Sequence, residues 1–161
     1  MANLELSIRT LRPEDAPVVK SWLRTYLTEH LTWWQEAYGR TPEGSLNELV
    51  EKNWHNLLEA RLGQQFVQVV DGPLSGIVFA EKRQEAYMGF NIGVLSWIYV
   101  EPAARRQGVS HRLMKAAHEW MDEQGVQGRQ VFVTAANEAA VKLYQRHGYR
   151  VADYRMLAMV D

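Results

Sequence analysis

The sequence predicts an α/β (α+β) fold with one mixed, mostly antiparallel central sheet and flanking helices. Two observations lead to this fold class. Alternating or continuous apolar segments, which are typical of strands, are separated by segments whose apolar residues recur at helical spacing. In the second half of the chain strands and helices alternate, and this order produces at least one parallel pair of strands.

The first half is predicted to contain a strand, two helices and a hairpin. Residues 4–10 alternate apolar and polar side chains, and Arg12-Pro13-Glu14-Asp15 then starts a helix, with proline and acids in its first turn. A second helix is predicted over residues 43–62, closed by Gly63. Residues 64–70 and 76–81 form strands around a turn, which indicates an antiparallel hairpin.

The second half adds a long apolar strand over residues 88–100, stopped by Glu101-Pro102. The remaining elements are a helix over 108–124, a short buried strand over 130–134, a helix over 137–147 and a final strand over 149–160. The predicted order is therefore β-α-α-β-β-β-α-β-α-β.

Composition excludes several classes of protein. The chain has 161 residues, 18 Lys and Arg against 19 Asp and Glu, and no cysteine. We therefore expect one domain over residues 1–161, with no disulfide scaffold, Cys-ligated metal or thiol nucleophile. The net charge of −1 argues against a nucleic-acid partner. Neither a signal peptide nor a membrane span is visible, so we expect no membrane partner and a cytoplasmic location.

A basic loop follows the long apolar strand. Between Pro102 and His118 there are four basic residues and no acid: Arg105, Arg106, Arg112 and Lys115. Gly108 stands where the next helix begins, so a phosphate could approach the free amides and the positive end of the helix dipole. An ordinary connection with solvated arginines has the same composition. The loop matches neither the nucleotide P-loop nor the three-glycine dinucleotide motif.

A second motif begins the last helix. Asn137 and Tyr144 are seven residues apart, so both project from nearly the same helix face. Taken separately, Asn137 reads as an N-cap and Tyr144 as a core aromatic. When Asn137 and Tyr144 are considered together with the basic loop, the two stretches also match the motifs of a known family.

These two stretches resemble the GNAT superfamily of acyl-CoA-dependent N-acyltransferases. The cofactor motif of that family, Arg/Gln-x-x-Gly-x-Gly/Ala, corresponds to Arg105-Arg106-Gln107-Gly108-Val109-Ser110, with Ser110 in place of the usual Gly or Ala. The second motif corresponds to Asn137, Ala140, Leu143, Tyr144, Gly148 and Tyr149. The resemblance implies one N-acetyltransferase domain over residues 1–161. It also implies a sheet of about six to seven strands with one parallel pair splayed at the cofactor site.

The resemblance also implies a cosubstrate, acetyl-CoA or a close acyl-CoA, and no metal. Backbone amides from Arg106 to His111 would hold the pyrophosphate, and Arg105, Arg106 and Arg112 would supply charge. The end of the fourth strand, Ile98, Tyr99 and Val100, would pair with the pantetheine arm, and an amide near Ile98 would polarise the thioester carbonyl. Asn137 would hydrogen-bond the pantetheine. These expectations assign cofactor-binding roles to Ile98, Tyr99, Val100, Arg105, Arg106, Gln107, Gly108, Val109, Ser110, His111 and Asn137.

For catalysis the resemblance implies direct attack by a primary amine, with Tyr144 protonating the departing thiolate. Some family members carry a base on the fourth strand, but here Val94 lies roughly at that place. Glu81, Glu36, His55 or a water remain as candidates, and Glu81 is our choice.

The acceptor is expected to be a small-molecule or peptide amine, bound where the tryptophans and tyrosines of residues 22–54 concentrate; core packing is the alternative explanation for them. Two other functions stay open, a toxin-type acetyltransferase acting on aminoacyl-tRNA and a non-catalytic acyl-CoA-binding regulatory module. The apolar residues 156–160 make a homodimer possible.

Overall fold

The computed structural model describes residues 7–161 and contains five strands and four helices within them. The strands are β1 (Ile8–Thr10), β2 (Gln65–Val70), β3 (Gly76–Gln84), β4 (Asn91–Val100) and β5 (Gly128–Val131). The helices are α1 (Ala16–Tyr38), α2 (Leu46–Ala60), α3 (Val109–Glu123) and α4 (Glu138–Arg146). Short 3-10 turns precede α1 and α3.

One sheet has the strand order β1-β2-β3-β4-β5, antiparallel except for the parallel pair of β4 with β5. That pair joins Ile92–Leu95 to Gly128–Val131 and then ends. Beyond Leu95, the backbone groups of β4 that point away from β3 have no neighbouring strand in the described chain. The predicted fold class and its splayed parallel pair are thereby confirmed.

Side chains of the sheet alternate between two apolar clusters because successive strand residues point to opposite faces. Val67, Val69 and Ile77 pack with Trp22 and Trp54 of α1 and α2. The other cluster combines Val78, Ala80 and Leu95 with the buried face of α3, namely Val109, Leu113, Met114, Ala117 and Met121. Helices α1 and α2 therefore cover one face of the sheet, and α3 covers the other.

Two glycines allow α3 to lie unusually close to the sheet. A Cβ at Gly76 would stand 2.9 Å from Leu113 Cδ1 and 3.0 Å from Val109 Cγ1, and one at Gly93 would stand 2.6 Å from the Met121 side chain. Gly76 thus faces the first turn of α3, and Gly93 faces its last turns. Larger side chains at these positions would push the helix outward.

A β-bulge interrupts the pairing of β3 with β4. Phe79 is opposite Trp97, whereas Ala80 is opposite Leu95, so Ser96 is an extra residue on β4. Bulges bend the strand locally and change the direction of a side chain, and they are common beside functional sites.

The prediction of a final strand over residues 149–160 is wrong, and the sheet has five strands where about six to seven were expected. Residues 150–161 are exposed throughout and belong to no strand. Their apolar pattern suits a strand, but a strand also needs a neighbour to pair with, and residues 7–161 supply none there. The predicted start of the first strand at residues 4–6 lies outside the described residues.

Other predicted boundaries differ by a few residues. Strand β4 begins at Asn91 instead of 88 because the carboxylate of Glu85 accepts the amides of Tyr87 and Met88 and closes a turn. Helix α2 begins later than predicted because Ser45 caps it, and the side chains of Ser45 and Glu48 each accept the other's amide.

A buried carboxylate fixes the entry to α1. Asp15 is only 6% exposed, and its two oxygens accept both terminal nitrogens of Arg9 at 2.8 and 2.9 Å. The amide of Arg12 is a third donor at 2.8 Å. These hydrogen bonds, foremost that of Arg9, lower the pKa of Asp15 in spite of its burial.

We predict that Asp15→Asn lowers the free energy of unfolding by about 2 to 4 kcal/mol at neutral pH, because it leaves a largely buried guanidinium without its main counter-ion. Since folding lowers the pKa of Asp15, its contribution is complete above the ordinary value of about 3.9 and disappears as pH falls through the folded-state value. Urea unfolding across a pH series should therefore show the difference shrinking in acid.

The control is Asp71→Asn, which removes the exposed second carboxylate lying 3.2 Å from Arg9 Nε. Asp71→Asn should lower the free energy of unfolding by less than Asp15→Asn does. Equal losses from the two variants would contradict the central role of Asp15.

Candidate functional site

The loop between β4 and α3 has an unusual backbone. Arg106 has a φ of +63° and is the one non-glycine residue with positive φ in the described chain; Gly108 follows at +79°. A left-handed conformation costs a residue with a Cβ about 1–2 kcal/mol, so this geometry must be imposed by its surroundings. A Cβ built on Gly108 meets nothing within 4 Å, and the space above it is open.

Six consecutive amides, from Arg106 to His111, donate no hydrogen bond to any acceptor in the part of the chain that the structure describes. The next amide, that of Arg112, bonds to Gly108 O and begins the regular helix pattern. Free amides at a helix N-terminus attract anions through direct hydrogen bonds and through the helix dipole. We call residues 105–111 the amide cradle.

The basic side chains around the amide cradle differ in their contacts. Arg105 Nε donates to Val100 O at 3.2 Å, and its guanidinium lies 5.9 Å from the Tyr99 ring centre. Arg106 and Arg112 are exposed and form no ion pair with residues 7–161. Gln107 donates to Ala103 O. Two cationic side chains are thus free to meet an anion at the cradle.

His111, at the end of the amide cradle, contacts α4. Its Nδ1 lies 3.2 Å from His147 Nε2, while His147 Nδ1 lies 2.9 Å from Leu143 O. The carbonyl requires the proton on His147 Nδ1, so His111 donates to His147 when both rings are neutral. Val109 is buried in the α3 cluster and Ser110 is half-buried.

The end of β4 supplies an open strand edge beside this loop. Ile98, Tyr99 and Val100 pair with β3 on one side and with no described strand on the other. Tyr99 is buried, its ring 5.6 Å from that of Trp22, so this side chain belongs to the core. The main chain is the part of these residues that remains available to a ligand.

Asn137 is the N-cap of α4, which is the role that the sequence indicates for this residue when it is taken separately. Its Oδ1 accepts the amide of Ala140 at 3.3 Å. The side-chain nitrogen makes no hydrogen bond with described residues and can still donate to a ligand.

Tyr144 lies two turns further along α4 and packs against the α3 cluster. Burial, with smaller contributions from Tyr26 and Tyr149, raises its pKa to about 12. Its hydroxyl has no hydrogen-bond partner among the described side chains, and its ring stands edge-on to that of Tyr149 at 5.9 Å.

Tyr149 is held in place by His118. Its phenol oxygen is 2.9 Å from His118 Nε2, and burial lowers the pKa of that histidine to about 4. The histidine is therefore neutral near pH 7, and its Nε2 can accept a hydrogen bond from the Tyr149 hydroxyl. This contact fixes the ring against which Tyr144 rests.

Glu81 lies on β3 directly opposite Val94 and is largely buried. Its carboxylate accepts hydrogen bonds from Gln65 at 2.9 Å, Arg83 at 2.7 Å and Ser96 at 2.6 Å. The hydroxyl of Ser96 thus connects Glu81 to the β-bulge. Glu36 and His55, the other candidate bases, are exposed and line neither of the cavities described next.

A cavity of about 380 Å³ lies between α1, α2 and the sheet. None of the residues that line it carries a charge: they are Leu23, Tyr26, Leu27, Trp34, Leu49, Asn53, Asn56, Leu57, Phe79, Ser96 and Trp97. We call it the aromatic cavity. Ser96 brings it next to Glu81, whose carboxylate accepts the Ser96 hydroxyl.

A second cavity of about 480 Å³ lies at the end of α1 and shares Trp34 with the aromatic cavity. Arg155 and Met159 of the C-terminal residues form part of its wall, together with Leu31, Gln35, Tyr38 and the α1–α2 loop. Of the adjacent pair Trp33 and Trp34, only Trp34 lines a cavity. Trp22 and Trp54 are core residues.

Sequence reasoning missed Ser96, Asn53 and Asn56. A weak signal existed for Ser96, a small polar residue in the middle of a largely apolar strand. The two asparagines sit on an ordinary amphipathic helix and gave none. In residues 7–161 no helix is both long and apolar enough to cross a membrane.

Comparisons with known proteins bear on the fold and on the family. No curated protein matches the chain. Among solved structures, a Pyrococcus furiosus protein described as an acetyl transferase matches at 23% identity and a TM-score of 0.76, covering 96% of this chain and 99% of that one. An aminoglycoside 6'-N-acetyltransferase from Acinetobacter haemolyticus matches at 19% identity and a TM-score of 0.66. The match covers 96% of this chain and 98% of that one. Aminoglycoside N-acetyltransferase AAC(6')-Iy, in complex with CoA, matches at 16% identity and a TM-score of 0.65. The match covers 96% of this chain and 93% of that one.

At these identities the solved structures establish the fold and no more. The family comparison goes further, because a model described as the acetyltransferase (GNAT) family matches residues 20–149, most of the chain. Both of the motifs identified in the sequence lie inside that range. The chain therefore belongs to the acetyltransferase (GNAT) family.

Proposed function

We propose that residues 1–161 form one N-acetyltransferase domain that transfers the acetyl group of acetyl-CoA to the primary amine of a small molecule or peptide. The observation that carries this proposal is the row of six unpaired amides beside the open edge of β4. A long anionic thioester suits this surface, since the diphosphate matches the amides and the amide-bearing arm matches a strand edge.

The amide cradle would hold the pyrophosphate, with Arg106 and Arg112 supplying charge. The backbone of Ile98 to Val100 would pair with the pantetheine arm, and Asn137 would donate its free side-chain N–H to it. An amide near Ile98 would stabilise negative charge that develops on the thioester oxygen. The two free arginines support this assignment.

The reaction needs two proton transfers. As the amine nitrogen bonds to the thioester carbon, Ser96 accepts the surplus amine proton and passes its own to Glu81, 2.6 Å away. The carbon–sulfur bond breaks, and the sulfur takes the proton of Tyr144. With a pKa of about 12, Tyr144 is protonated at the start of every turnover.

The aromatic cavity is the proposed acceptor site. Its walls carry no charge, so a second ammonium group on the acceptor would be desolvated without a counter-ion. Aromatic and aliphatic surface favours an apolar body, while Ser96, Asn53 and Asn56 provide the few polar contacts. The acceptor class is therefore an apolar or aromatic primary amine. Polycations such as aminoglycosides fit it poorly.

We predict that Gly108→Ala weakens CoA binding about tenfold or more by titration calorimetry, because the added Cβ fills the space through which the phosphates reach the amides. Gly125→Ala is the matched control: Gly125 ends the same helix, has a φ of +70° and also has nothing within 4 Å of an added Cβ.

Both variants carry a similar backbone strain, so only loss of the amide cradle separates them. Equal affinities in the two variants would overturn the cradle assignment. Absence of any heat with CoA or acetyl-CoA for the natural sequence would overturn the whole proposal.

We predict that Tyr144→Phe and Glu81→Gln each lower kcat about 10²- to 10⁴-fold in a free-thiol release assay, with CoA affinity unchanged. Ser96→Ala should resemble Glu81→Gln, because both interrupt the same transfer. Because the pKa of Tyr144 is raised to about 12, this residue keeps its proton up to about pH 11. Deprotonation of Tyr144 should therefore cause no fall in the kcat of the natural sequence at any pH lower than that.

Tyr87→Phe is the control for Tyr144→Phe, because it removes the hydroxyl of a tyrosine that is 94% exposed and has no role in the proposed site, so the activity should stay unchanged. Full turnover by Tyr144→Phe would remove the acid from the mechanism. Full turnover by Glu81→Gln would assign the base to water.

We predict that kcat/KM across a panel of amines follows apolar character. 2-Phenylethylamine and tryptamine should exceed a polycationic aminoglycoside by about 10²-fold or more, because each uncompensated buried charge is costly. Introducing a carboxylate with Asn53→Asp should shift the ratio toward the polycation, with Asn53→Leu as the uncharged control. Preference for the polycation by the natural sequence would refute the acceptor class.

Tight CoA binding without turnover of any amine would identify a binding module.

A further inference from the structure

The cavity at the end of α1 carries charge, in contrast to the aromatic cavity. Its wall includes Arg40 and Glu43 from the α1–α2 loop and Arg155 from the C-terminal residues. None of these three side chains forms an ion pair with residues 7–161. Because arginine keeps its proton in proteins, two guanidiniums face one carboxylate, and the wall has a surplus of positive charge.

The two cavities follow one another along the same side of α1. Leu23 and Leu27 line the aromatic cavity, and Trp34 lines both cavities. Leu31 and Tyr38 line the cavity at the end of the helix. These residues recur at intervals of three or four, so they lie on one side of the helix. An elongated molecule lying along α1 could therefore reach from one cavity to the other past Trp34.

We propose that the acceptor carries a carboxylate at the end opposite its reacting amine, and that Arg155 and Arg40 bind this carboxylate. The inference rests on the proposed function, which places the amine beside Ser96 and the apolar body in the aromatic cavity. Guanidinium groups bind carboxylates through paired, charge-assisted hydrogen bonds. Since Glu43 offsets one of the two arginines, the wall matches a singly charged carboxylate better than a phosphate of charge near −2.

Helix α1 indicates how far apart the amine and the carboxylate are. At the amine end, the ring of Tyr26 lies 5.6 Å from that of Trp97, the residue after Ser96. At a rise of about 1.5 Å per residue, Trp34 and Tyr38 lie about 12 and about 18 Å further along the helix. The carboxylate is therefore expected about 12 to 18 Å from the amine, which excludes an α-amino acid.

An apolar chain suits the space between the two ends better than a peptide does. The aromatic cavity offers Ser96, Asn53 and Asn56 as polar contacts, too few for the several N–H and C=O groups of a peptide. Peptide groups that are buried without hydrogen bonds are costly. The acceptor class is therefore an elongated ω-amino acid with a hydrocarbon or aromatic body.

The test compares the acid and the methyl ester of the same chain in the free-thiol release assay. In 12-aminododecanoate the carboxylate stands about 14 Å from the nitrogen, at about 1.2 Å per chain atom. Its kcat/KM should exceed that of its methyl ester about tenfold or more, because the arginines attract only the acid. In 6-aminohexanoate the carboxylate would remain in the uncharged aromatic cavity, so here the methyl ester should be the better substrate.

Substitutions in the charged wall should change the acid-to-ester ratio of the twelve-carbon pair. Arg155→Gln should lower this ratio about tenfold, whereas Arg150→Gln, which removes a guanidinium that lines neither cavity, should leave it unchanged. Glu43→Gln should raise the ratio about twofold or more, because it removes the carboxylate that repels the acid. Both substrates meet the same enzyme sample, so a partly unfolded variant changes both rates equally and leaves the ratio intact.

Equal kcat/KM values for the twelve-carbon acid and ester would overturn this inference and leave the proposed function standing. An acid preference that survives Arg155→Gln, or that Arg150→Gln lowers by the same factor, would overturn the assignment of the carboxylate to Arg155. Absence of thiol release with every amine would overturn the proposed function and this inference together.

Discussion

The short parallel pairing of β4 with β5 is the constraint on which the rest of the site depends. The two strands run together from Ile92 to Leu95 on the β4 side and then separate. Had they stayed paired, the end of β4 would offer no free edge, and α3 would begin against a closed sheet. Because they separate, the end of β4 keeps an open edge, and the loop that follows it leads directly to the free amides at the start of α3. The bulge at Ser96 falls where the strands part.

Much of this arrangement could be predicted from sequence, because its determinants are local. The helix after Arg105-Arg106-Gln107-Gly108 is specified by amphipathic spacing, and its free amides follow from being a helix start. The spacing of Asn137 and Tyr144 is a property of one helix. Such features need no knowledge of distant residues, and the boundaries of α3 and α4 accordingly came out within a residue of those predicted.

What could not be predicted depends on residues far apart in the chain. The contact of Ser96 with Glu81 exists because a bulge shifts the register of two strands, and no local pattern encodes a bulge. The left-handed Arg106 contradicts the ordinary preference of its side chain. The last segment reads as a strand by its alternation, yet whether it pairs depends on what lies beside it. The periodicity of apolar residues predicts which face of a strand each side chain would occupy, but it does not predict whether a second strand lies beside it.

Gly76 has a consequence for how tightly the amide cradle can bind. Its missing side chain lets Val109, the first residue of α3, and Leu113 pack directly against the backbone of the sheet. The cradle is therefore held against the sheet at Val109. A ligand that binds there finds its donors already in position and loses little free energy to ordering them. For the proposed cosubstrate, affinity would thus depend in part on a glycine that never touches it.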